Sequence, residues 1–140
     1  MATKRERVLS AFFSRLGSIP DAAVVRNEAL PVRIPDGGLV VMRDGDAGQP
    51  DITLNPRAEY YAHRIMIEVI TIGDATALDT LLIALGNALA GDETLGGLAE
   101  MLTILAPEVG MTPVENAATL RHATVPVVVE YQVTGPLREE

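Results

Sequence analysis

The 140-residue chain predicts an α+β domain, a small antiparallel β-sheet with two helices packed on one face in the order α-β-β-α-β-β. Three observations predict it. Two segments carry apolar residues at helical spacing, and each ends at a glycine. Two long segments alternate with period two, as strands with one buried face do. Hydrophobic residues make up 48% of the chain, enough at this length to bury roughly two-thirds of the unfolded surface. Disorder as the main state is excluded, and a single domain spanning residues 1–140 is expected.

The first helix runs from Thr3 to Leu16. Val8, Leu9, Phe12, Phe13 and Leu16 form one apolar stripe, with Lys4, Arg5, Arg7 and Ser14 off it, and Gly17 is its stop. From Ser18 to Pro35 the prolines Pro20, Pro31 and Pro35, with the short β-type stretch Ala23 to Arg26 between them, give an irregular crossing segment. Leu39 to Arg43 is a strand that follows the turn Asp36-Gly37-Gly38. Asp44-Gly45-Asp46-Ala47-Gly48-Gln49-Pro50-Asp51 has no periodicity and is expected to be an acidic, flexible loop.

A long strand from Glu59 to Ile72 comes next. His63, Ile65, Ile67, Val69 and Thr71 share one face, and the strand is long enough to extend past the edge of a small body. Thr76-x-x-Asp79 resembles a capping box for a second helix, Thr76 to Ala90, with Leu78, Leu81, Leu82, Leu85 and Leu89 as its apolar face and Gly91 as its stop. Asp92-Glu93-Thr94 caps a short helical turn through Leu98. Met101 to Glu115 is extended but interrupted by Pro107 and Pro113, which suits an edge or bulged strand. Ala123 to Thr134 alternates most regularly of all, and Gly135-Pro136 ends it.

Composition narrows the function. With 11 cationic and 19 anionic side chains the net charge is −8, which excludes a dedicated nucleic-acid-coating role. The charge is uneven, about +3 in the first fifteen residues against about −11 in the rest, so two copies could meet through unlike surfaces. The absence of cysteine removes disulfides, thiolate metal sites and cysteine nucleophiles. No apolar run reaches the roughly 20 residues of a membrane span, and the start leads into an amphipathic helix, so a cytoplasmic product without a membrane partner is expected.

Catalytic constellations are missing from the sequence. His63 and His122 lack the spacing that would bring two nitrogens to one metal, and packing or surface roles are expected for both. Gly37-Gly38 and Gly96-Gly97 stand outside any phosphate-binding pattern and read as turn formers. Asp44, Asp46 and Asp51 sketch the start of a calcium loop, but the twelfth-position Glu and the flanking helices are absent. No enzyme activity, cofactor or metal is expected.

The order of elements, the stretch Tyr60-Tyr61-Ala62-His63-Arg64-Ile65-Met66-Ile67-Glu68-Val69, the Asp92 to Leu98 segment and the closing Val129 to Thr134 strand resemble the tail terminator family. These tail-completion proteins, similar to minor tail protein U, belong to long-tailed phages and gene transfer agents. The resemblance implies a virion tail protein, assembled from the host cytoplasm as a homohexameric ring on the tail tube. Such a ring stops polymerisation of the tube protein and joins the tail to the head connector or stopper, while DNA passes through an acidic lumen without specific binding. The long strand and the loop from Asp44 to Asn55 would become ordered between neighbours. Charge and position make Arg5, Arg7, Asp44, Asp46, Asp51, Arg57 and Glu59 the interface candidates. Two other readings stay open: a small dimeric enzyme or ligand-binding domain handling acyl groups through His63 or His122, and an acidic mimic of nucleic acid.

Overall fold

Thr3 sets the start of helix α1 (Lys4–Leu16), because its hydroxyl accepts from the Glu6 amide at 3.2 Å. The computed structural model describes residues 2–29, 34–112 and 119–139. Val8, Leu9, Phe12 and Leu16 are the buried side of α1, as the apolar stripe requires. The strands that follow are β1 (Ala23–Arg26), β2 (Leu39–Asp46), β3 (Asp51–Leu54) and β4 (Arg57–Ile72). Helix α2 (Ala75–Ala90) then leads to β5 (Met101–Ile104), β6 (Glu108–Thr112) and β7 (Leu120–Val133).

The seven strands form one mixed sheet in the order β1-β2-β4-β7-β5, with β3 added beside β4 and β6 beside β7. The expected order α-β-β-α-β-β is therefore corrected to α-β-β-β-β-α-β-β-β. The sheet also departs from purely antiparallel pairing, since β1 runs parallel to β2. The short β-type stretch Ala23 to Arg26, read within an irregular crossing segment, is strand β1: the Ala23 amide bonds the Gly38 carbonyl and the Asn27 amide bonds the Met42 carbonyl, one bond at each end of the pair. Pro31 and residues 113–115, on which part of the sequence reading fell, lie outside the described residues.

Both helices cover one face of the sheet. Val40 and Met42 of β2, Ile65, Ile67 and Val69 of β4, and Val125, Val127 and Val129 of β7 meet Leu9 and Phe12 of α1 and Leu81, Leu85 and Leu89 of α2 in one core. The long central pair β4/β7 runs in unbroken register from Glu59 opposite Val133 to Ile72 opposite Leu120. Its alternation places His63 and Tyr131 on the helix-covered side. Arg15 ties the helices together by donating its Nε–H to the Ala88 carbonyl at 3.1 Å. No helix among the described residues is long and apolar enough to cross a membrane.

Local chemistry moves three boundaries. Asp74, not the Thr76 box, caps α2: its carboxylate accepts from the Ala77 amide at 3.0 Å, so the helix begins at Ala75. Of the expected loop from Asp44 to Asp51, only residues 47–50 connect strands. Asp44 and Asp46 belong to β2 and Asp51 opens β3, which pairs with β4 to form a hairpin within a single chain. A β-bulge between Arg43 and Asp46 hides this continuity, because one extra residue breaks the period-two pattern while the strand carries on. The expected edge strand from Met101 is present as β5 and β6 in line along β7, separated around Pro107, with the Leu105 amide bonding the Pro126 carbonyl between them.

Candidate functional site

The polar residues gather at the root of the β3/β4 hairpin. Arg26, last residue of β1, shares the helix-covered face with Val24, so its guanidinium reaches under α1. There it donates Nη1–H and Nη2–H to Glu6 at 3.0 and 2.9 Å, and Nε–H and Nη2–H to Asp44 at 2.8 and 3.0 Å. A single cation thus joins α1, β1 and β2. The Arg26 bonds hold both carboxyls below their usual range, and the pairing raises the guanidinium's own pKa. The charge of Arg5 lowers Asp44 further and also acts on His63.

His63 is the second element of this root. The Gly45 bulge turns the Asp44 carbonyl toward the imidazole, which must donate Nε2–H to it at 2.6 Å. Nδ1 therefore accepts from the Tyr131 hydroxyl at 3.0 Å, which fixes one neutral tautomer. Burial holds His63 below its ordinary 6.5 and pushes the Tyr131 phenol up to about 12. Tyr61 packs beside Tyr131 with ring centroids 5.8 Å apart. With both nitrogens engaged and the ring fully buried, His63 packs and positions. His122 is exposed, its ring lying over Gly110, where an added Cβ would stand 2.7 Å from Cε1.

The seven interface candidates divide by environment. Arg7, Asp46, Asp51 and Arg57 are exposed and Arg5 is half-buried. Asp46 accepts from the Gly48 amide at 3.0 Å and so shapes the turn into β3. Asp44 is spent inside the chain on Arg26. Glu59 is buried, with one carboxylate oxygen 3.8 Å from Arg57 and the other without a hydrogen-bond partner among the described residues. Beyond this root the hairpin protrudes, and Leu54 is 79% and Ile52 49% exposed. Among the described residues no group of His, Asp and Glu side chains is placed to hold a metal ion.

No protein-family model and no curated protein matches the chain. A solved structure does. A chain of the particle described as "Virion of native gene transfer agent (GTA) particle" is similar to it, with a TM-score of 0.45 at 16% identity, over 91% of this chain and 89% of that one.

Arg26, Glu6 and Tyr131 are the site residues that sequence reasoning missed. One signal was available, since an arginine two residues after Val24 on a strand's apolar face demands an acidic partner. Arg26→Ala is expected to lower stability by about 2 kcal/mol in urea unfolding, because it leaves Glu6 and Asp44 facing each other without a cation. Arg26→Lys should recover less than half of the loss, since an ammonium lacks the fork that serves two carboxylates at once.

Proposed function

We propose that this chain is a structural subunit of a phage-type tail, in which copies join head to tail as a closed homohexameric ring on the end of the tail tube. The ring halts polymerisation of the tube protein and presents the surface that meets the head connector or stopper. One observation carries the reading. Exposed apolar side chains stand at two unlike places on opposite sides of the central β4/β7 pair: Ile52 and Leu54 on β3, and Ile104, Val109 and Met111 on β5 and β6. Their cross-strand partners put both groups on the helix-covered side of the sheet. Two unlike patches favour a heterologous contact, which closes into a ring or runs on as a filament, over an isologous dimer.

The family resemblance supports the closed form and its place on the tail. Arg5, Arg7, Asp46, Asp51 and Arg57 supply charge at the contact, while Asp44 and Glu59 hold the hairpin from within. A net charge of −8 suits a lumen through which DNA slides without being held. Native mass spectrometry and electron microscopy with tube protein test the reading. The expected result is a six-copy ring, free or on tube ends, with tube growth arrested. Protein that stays monomeric at high concentration and leaves tube growth unchanged overturns it.

A further inference from the structure

The two outer margins of the sheet match each other. Strand β1 is outermost on one side, β5 and β6 are outermost on the other, and no described strand pairs with their outer edges. Register sets β1 and β6 at one height: Val24 lies opposite Val40, Val40 opposite Val69, Val69 opposite Ala123, and Ala123 opposite Val109. This row of small aliphatic side chains crosses the helix-covered side and ends at Val109, which is 63% exposed. Followed across the same pairings, β1 and β6 run in opposite directions.

Backbone phase agrees as well. The Ala23 and Asn27 amides bond carbonyls on the β2 side, so the odd residues of β1 face β2 and Val24 and Arg26 turn their peptide groups outward. Along β7 the Pro126 carbonyl accepts from the Leu105 amide, so its even residues face β5 and β6. Glu108, Gly110 and Thr112 pair with even residues of β7, which leaves the amide and carbonyl of Val109 and Met111 pointing outward. Val24 and Val109 thus present outward N–H and C=O groups at the same height, with side chains on the same face. The stretch Val109-Gly110-Met111 has no charge, proline or bulge to guard its edge.

We infer that β6 of each copy pairs antiparallel with β1 of the next, Val109 exchanging both backbone hydrogen bonds with Val24, so that the sheets of the ring join edge to edge. This contact builds the ring of the proposed function and rests on that reading. Rotation about an axis parallel to the strands preserves strand direction and height, so the transverse row of one copy runs on into that of the next, and the repeated step closes. Each of the two strands is outermost on its margin, so the step overlays no strand on another. An isologous pair, β6 on β6 or β1 on β1, leaves the other margin bare, whereas the β6–β1 step satisfies both and takes Val109 out of water.

The cysteine-free chain makes a direct test possible. In this register Val25 of one copy stands opposite Glu108 of the other as a non-hydrogen-bonded pair, with Cα atoms about 4.5 Å apart and within disulfide reach. Val25→Cys and Glu108→Cys are introduced together and assemblies are oxidised, free or on tube ends. A ladder of disulfide-linked multimers is expected, while Val25→Cys with Thr112→Cys, further along the same edge, gives none. Val109→Lys, at an exposed position, is expected to leave urea unfolding of the isolated chain unchanged and to weaken association by on the order of tenfold. Rings that form without the Val25/Glu108 link, or Val109→Lys rings as stable as the parent's, overturn this docking and leave the ring intact. Linked dimers from Glu108→Cys alone would show two β6 edges paired and overturn it as well. Failure to form rings in any condition removes the ring reading and this contact with it.

Discussion

Gly45→Ala is expected to lower stability by about 3 kcal/mol, a drop in Tm of roughly 10 °C for a chain of this length. Gly45 sits in the β2 bulge with φ +70, a left-handed conformation costly to residues with a side chain. Space is the second cost. A Cβ there would stand 1.8 Å from the Arg64 carbonyl oxygen and 2.9 Å from its carbon, and both are backbone atoms of the adjoining strand that cannot swing away. Gly48 separates the two effects, since it shares φ +70 but has nothing within 4 Å of its Cβ position. Gly48→Ala is expected to cost only about 1 kcal/mol, the conformational part alone. Thermal and urea unfolding of both variants check this, and equal losses would show that the bulge tolerates a side chain. The bulge also aims the Asp44 carbonyl at His63, so Gly45→Ala should disturb the hairpin root before it disturbs the helices.

The parts of the fold legible in the sequence are those where burial imposes a period. Val8, Leu9, Phe12 and Leu16 announce α1, the alternation from His63 to Thr71 announces β4, and Val125 to Val133 announces β7, because each has one face in water and one in the core. Pro107 likewise announces an interrupted edge strand. The elements that went unread lack that asymmetry. All four residues of β3 are exposed, so it shows no two-faced pattern, whereas β1, half-buried throughout, was legible from its β-type residues alone. In β2 the inserted Gly45 shifts the phase, and the strand looks like a loop from Asp44 onward. The site was less legible still. Asp44 and Glu59 read as surface charges, yet Asp44 is bonded to Arg26 and Glu59 is buried; only pairing across β1, β2 and α1, distant in sequence, reveals this. Acidic side chains in a glycine-rich stretch carry no local mark that distinguishes a paired carboxylate from a solvated one.

The pH dependence of stability is expected to show two acid steps, and the upper one belongs to His63. Its folded-state pKa lies below the ordinary 6.5, so between the two values the unfolded chain binds the extra proton and the folded chain does not. Stability from this group is complete above about pH 6.5 and is lost as pH falls through the depressed folded value, with a slope of at most about 1.4 kcal/mol per pH unit. Protonation would put a second N–H on the ring where the Tyr131 hydroxyl now donates, and the charge would be buried beside Arg5. The lower step comes from Glu6 and Asp44, whose folded values lie below 4.5 and 3.8; their contribution is present above those values and disappears as pH drops beneath them. His63→Gln offers an amide N–H to the Asp44 carbonyl and an oxygen to Tyr131 without a titrating group, so it should erase the upper step and leave the lower one. His63→Ala does neither and is expected to cost about 4 kcal/mol at neutral pH, the sum of a core cavity and two abandoned polar groups. Urea midpoints from pH 8 to pH 3 for the three proteins decide the matter: a His63→Gln variant that still loses stability between pH 6.5 and pH 5 at the parent's rate would show that the upper step arises elsewhere.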